Sequence, residues 1–127
     1  MVKLQFEDKF DELEFFARIK SRPCLFLGRK SLVLLDSFLS GMEFAFYYSG
    51  EEECLHYFRG FTDWYLKTVV KDKNGYASWR NHMLYTSAYH DDMAFDCFFS
   101  KFERYLADTY GASLPRAEEP GYKGKLE

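Results

Sequence analysis

Three histidines, three cysteines and twenty carboxylates are the groups with which this chain could do chemistry. His56, His82 and His90 make no pair four residues apart, so no helix would present two imidazoles on one face, and a mononuclear metal needs three or four convergent ligands. The best available ligand set is His90-Asp91-Asp92 with Asp96, because Asp92 and Asp96 are one helical turn apart. The same pattern is what a helix start requires: a capping carboxylate and negative charge at the positive end of the helix dipole. Capping is the reading adopted, with Asp91 or Asp92 as the cap, and no metal is expected. Cys24, Cys54 and Cys97 are far apart and form no CxxC pair, which reads as buried thiols. No GxSxG string and no glycine-rich phosphate loop is present. Neither enzymatic activity nor a cofactor is expected.

Other residues are suited to binding. Glu51-Glu52-Glu53 follows a Ser-Gly turn, either as a solvated charge run or as the edge of a partner surface. Fourteen phenylalanines fall mostly at periodic positions that a core would fill. The tyrosines differ, since Tyr47, Tyr48, Tyr57, Tyr76, Tyr85 and Tyr89 lie beside those positions, and Tyr and Trp concentrate at interface hot spots. Trp64 near Lys67 and Trp79 beside Arg80 could stack on bases. Net charge of -3 and scattered basic residues argue against that, and nucleic acid is not expected as a partner.

The elements that must position these residues are helical. At 127 residues, 47% hydrophobic and 29% charged, the chain is the size of one ordinary domain with its own core. Phe6 to Ser21 has helical spacing, with acidic residues early, Arg18 and Lys20 late, and Pro23 as a stop. Pro23–Gly28 reads as a buried loop or turn. Ser31 caps a helix from Leu32 to Tyr48, in which Gly41 marks a close helix contact. Glu51 to Lys71 repeats the pattern and closes in the polar cluster from Lys71 to Gly75. Tyr76–Tyr89 is helix or in part strand, and a strong final helix ends near Gly111. The expectation is an all-α, single-domain bundle of about five helices over residues 1–111, with 112–127 as a flexible or partly docked tail. The N-terminus lacks a signal-peptide pattern and no apolar run reaches the ~20 residues of a membrane span, so a cytoplasmic protein with no membrane association is expected.

The string Ile19-Lys20-Ser21-Arg22-Pro23-Cys24-Leu25-Phe26-Leu27-Gly28 resembles an I-K-x-R-P-x-M-Y-L-G pattern of small bacterial immunity proteins of polymorphic toxin systems. Phe38-Leu39-Ser40-Gly41, Phe61-Thr62-Asp63-Trp64, Trp79, Ala94 to Phe99 and Tyr105-Leu106 extend the resemblance over about residues 10 to 106. Cys24 stands where glycine is common, and Leu25-Phe26 replace Met-Tyr. The resemblance implies a protein without catalysis that binds and neutralises a cognate toxin domain, such as a nuclease. Surface position, not the family, nominates the contacts: Glu43, Glu51, Glu52, Glu53, Asp91 and Asp92 as charges, with Tyr48, Tyr57 and Tyr89 as anchors. Arg22, Pro23, Gly28, Trp64 and Trp79 are assigned to structure. A small-ligand-binding or self-associating module, including a homodimer, is the alternative.

Overall fold

Capping residues and helical spacing make most of this chain helix, and a computed structural model describes residues 10–50, 55–72 and 77–116. Helix α1 spans Glu12–Ser21, and its start is set by Asp11, whose carboxylate accepts the Glu14 N–H at 3.2 Å. Glu12 and Glu14 in its first turn and Arg18 and Lys20 in its last complement the helix dipole. Pro23 opens α2, Pro23–Leu27, where its missing N–H costs nothing. Gly28 ends α2 at φ +90, a conformation that disfavours any side chain with a Cβ. The Pro23–Gly28 connector is thus a short helix and not a buried loop or turn, and both Cys24 and Leu25 on it are exposed.

Helix α3, Leu32–Tyr48, starts at Ser31, whose hydroxyl accepts the Leu34 N–H at 3.0 Å. Helix α4, His56–Trp64, runs without a break into a π-helical segment, Tyr65–Val70, which stops where Lys71 turns left-handed at φ +60. Ser78 caps α5, Trp79–Thr86, which is helix with no strand in its described part, Tyr76 lying outside the described residues. Helix α6, Asp91–Tyr110, ends at left-handed Gly111. The chain is therefore an all-α single domain, with five helices of seven or more residues and the short α2 among the described residues.

The core gathers one face of every long helix. Phe16, Phe61, Phe98 and Phe102 form its aromatic centre, with Phe98 and Phe102 stacked at 5.5 Å and Phe16 tilted against Phe102 at 4.8 Å. Leu32, Leu35 and Leu39 of α3 and Met83 of α5 close the cluster. Each such side chain contributes about 1.5–3 kcal/mol by leaving water. Trp79 packs edge-on against Phe58 at 5.5 Å and beside Phe98 at 5.7 Å. Trp64 lies against Tyr105 at 5.6 Å with the Arg104 guanidinium 5.4 Å from its ring, so both tryptophans serve the fold. Beyond α6, Ala112 and Leu114 pack on this core, while residues 117–127 lie outside the described part.

Close helix approach occurs at Gly60, not Gly41. A Cβ on Gly60 would overlap the Tyr105 hydroxyl oxygen and come within 3.2 Å of its Cζ, whereas one on Gly41 meets open space. Tyr105 cannot swing aside readily, because Phe61 at 6.0 Å, Trp64 and Tyr110 at 5.9 Å hold its ring. Gly60→Ala is expected to lower stability by about 1–3 kcal/mol through overpacking. Gly41→Ala should raise it by up to about 1 kcal/mol through helix propensity, and denaturant melts of the two variants check the contrast.

Candidate interaction surface

The carboxylates with the best geometry for chemistry are committed to holding helices together. Asp91 is the first residue of α6 and does not cap it; His90 occupies that position and makes no side-chain cap. The Asp91 carboxylate turns instead to the start of α3, accepting the Leu32 N–H at 2.8 Å, the Val33 N–H at 3.0 Å and the hydroxyl of fully buried Ser31. Its charge thus faces the positive end of another helix, 59 and 58 residues away for the two amides. Glu12 does the same for α4. Buried at the start of α1, it accepts the Tyr57 and Phe58 N–H groups at 2.8 Å each. These amides would otherwise lack partners, because α4 begins without a side-chain cap of its own.

Several other reactive groups are also occupied or quenched. His82 Nδ1 shares a 2.7 Å hydrogen bond with the hydroxyl of buried Tyr65, and burial pushes that phenol up to about 12. Burial raises the Cys97 thiol, an effect that nearby Lys101 only opposes, so it stays protonated and poorly nucleophilic at neutral pH. Cys24 is exposed and not the buried thiol expected from sequence, while Cys54 lies outside the described residues. Burial also raises the Asp36 carboxyl against the pull of Arg80, whose Nη1 donates to it at 3.2 Å. Among the described residues no three of His, Cys, Asp and Glu converge as a metal would require, and no helix is long and apolar enough to cross a membrane.

The expected contact residues separate into three groups. Asp91 is spent on the α3 cap, Glu43 accepts from Arg59 Nε at 3.2 Å, and Tyr57 is half-buried with its ring 5.0 Å from Tyr110. Tyr48, Tyr89 and Asp92 are exposed. Glu51, Glu52 and Glu53 lie outside the described residues.

Two clusters of large side chains face solvent. At the C-terminal end of α3, Phe44, Tyr47 and Tyr48 are 63%, 75% and 70% exposed, and their rings brace one another edge-on at 4.7 and 5.1 Å. At the α5–α6 junction, Tyr85, Tyr89 and Met93 are 68%, 69% and 57% exposed, with the two phenol rings 6.2 Å apart. One cluster occupies the last turns of α3 and the other adjoins its start through Asp91, so roughly 20 Å of helix separates them at 1.5 Å per residue. No family model, no curated protein and no solved structure matches the chain.

Sequence reading missed Phe44, Tyr47 as a site residue, and Met93. Phe44 sits two residues from the core-facing stripe, so its type suggested core, and only the placement of α3 against α5 and α6 shows which flank is left uncovered. An open cleft of about 410 Å³ between α1, α6 and the segment after it is lined by Lys20, Ser21, Glu103, Leu114 and Arg116. Lys20 and Glu103 pair with each other across it.

Proposed function

We propose that this chain is a non-catalytic immunity protein that binds a cognate toxin domain and neutralises it by covering its working surface. The observation that carries this reading is the division of labour among side chains. Glu12, Asp91, Tyr65 and His82 are used inside the fold, while six large apolar or aromatic side chains in two clusters stand in water. Clustered exposed aromatics of this kind are what a protein partner buries, since Tyr and Phe bring large area at small entropic cost. The R-P-containing connector after α1 supports the choice of partner through its resemblance to immunity proteins. The net charge of -3 adds attraction toward a basic toxin surface and would speed encounter. The reading places the protein in the cytoplasm, where the toxin would act.

Co-production with a toxin domain encoded beside this chain's gene tests the reading. Growth arrested by the toxin alone should be restored when the chain is made with it. Continued arrest with soluble, folded chain present would overturn the proposal.

A further inference from the structure

The cluster at the α5–α6 junction has features that select a partner chemistry. Tyr85 is in the last turn of α5, but Tyr89 lies beyond the helix, so ordinary helical spacing does not bring the two rings together. A left-handed turn does. Ala88 and Tyr89 both have positive φ, +56 and +62, which L side chains adopt only at a steric cost. Three backbone hydrogen bonds hold the turn: Tyr89 N–H to Leu84 O at 2.7 Å, Ala88 N–H to Tyr85 O at 3.0 Å and His90 N–H to Ser87 O at 3.0 Å. The fold thus keeps Tyr89 in a costly conformation that sets its ring at 80° to that of Tyr85, with both side chains largely exposed. Strain of this kind persists where surrounding structure fixes it, and it concentrates at working surfaces.

Charge decides what would meet these rings. The residues that follow are His90, Asp91 and Asp92, with Asp96 one turn on. The cations on this side, Arg29 and Lys30, already face carboxylates, Arg29 at 4.0 Å from Asp91 and Lys30 at 2.9 Å from Asp96. Asp92 is exposed, accepts the neighbouring Met93 N–H at 2.8 Å, and makes no ion pair among the described residues. An electron-rich pair of exposed phenol rings, followed three residues after Tyr89 by an exposed carboxylate with no ion pair among the described residues, suits a cation that is planar and weakly hydrated, which describes a guanidinium better than an ammonium. At the end of α3 the described carboxylate, Glu43, is matched by Arg59, and Glu51, Glu52 and Glu53 lie outside the described residues.

We propose that Tyr85, Tyr89 and Asp92 form a receptor for an arginine side chain on the partner protein, with exposed Met93, next in the chain after Asp92, offering apolar surface to its aliphatic stem. This rests on the partner-binding reading above and specifies which surface the partner uses and what it brings.

The test uses the full chain and two peptides, hexa-arginine amide and hexa-citrulline amide, the second having the same shape without the charge. Amide and tyrosine-ring NMR shifts are followed during titration. Hexa-arginine should shift Tyr85, Tyr89 and Met93, and hexa-citrulline should bind at least about tenfold more weakly. Tyr85→Leu with Tyr89→Leu, which keeps apolar bulk and removes the ring faces, should weaken hexa-arginine about fivefold, as should Asp92→Asn. All three positions are exposed, so an unchanged far-UV spectrum is expected and shows that the variants fold. Binding unaffected by these substitutions, or equal binding of the citrulline peptide, would overturn the proposal. So would a concentration-dependent dimer of the unliganded chain that the double variant abolishes, since a second copy would then own the cluster. Peptide binding at this site without protection from the toxin would overturn the immunity reading alone, whereas protection that survives the double variant at full strength would overturn the receptor alone.

Discussion

Glu12→Ala is expected to destabilise the fold by about 3 kcal/mol, which for 127 residues corresponds to a melting temperature lower by roughly 10 °C. The cost arises because the two α4 amides that Glu12 accepts, those of Tyr57 and Phe58, lie at half-buried and buried positions where water cannot replace the carboxylate. Leaving each amide unpaired costs about 1–3 kcal/mol, and the favourable meeting of a negative charge with a helix N-terminus is lost as well. Glu12→Gln keeps one good acceptor and should recover part of the loss. Glu14→Ala is the control two residues on: it removes a surface pair with Arg18 at 2.9 Å and should change stability by no more than about 0.5 kcal/mol. Equal melting temperatures for the Glu12 and Glu14 variants would show that α4 does not depend on this cap.

Asp91→Ala is the second large effect, with an expected loss of about 2–3 kcal/mol in urea melts. It removes acceptors from the Leu32 and Val33 amides and from Ser31, whose hydroxyl is fully buried. Asp92→Ala, one residue along, should stay within about 0.5 kcal/mol, since its carboxylate is exposed and accepts only an adjacent amide. The pair also separates fold from binding. A partner-binding defect in Asp91→Ala that disappears at a lower temperature, where the variant is fully folded, would assign Asp91 to the fold. A defect of equal size at every temperature, with stability unchanged, would return Asp91 to the interface.

Local signals in the sequence carried the helices. Ser31 caps the helix that follows it, Pro23 and Gly111 bound the segments they border, and the apolar stripe of α6 is buried as its spacing requires, whereas Asp11 and Ser78 are caps that sequence reading does not single out, Asp11 falling inside the helical spacing of Phe6 to Ser21. What the sequence did not disclose is long-range. Nothing near Glu12 or Asp91 indicates that each would cap a helix 45 or 59 residues away, and a carboxylate in a first helical turn has a sufficient local explanation already. Gly41 and Gly60 are alike as helical glycines. Only the position of Tyr105 on α6 tells them apart. The π-helical stretch after Trp64 escaped for a similar reason, because Tyr65, Leu66 and Val69 fit a 3.6-residue repeat as well as the wider one. The candidate surface was half legible: Tyr48, Tyr89 and Asp92 were singled out by type and are exposed, while Tyr57, Glu43 and Asp91 share those types but have internal partners.

Titration calorimetry between the folded chain and the toxin domain encoded beside its gene tests the central claim most directly. Aromatic clusters built to receive a protein predict a one-to-one complex with a Kd of ~1 µM or tighter, weakening when Tyr85 and Tyr89 are both changed to Leu. No heat of binding with both proteins folded at several tens of micromolar, roughly ten times that Kd or more, would contradict it.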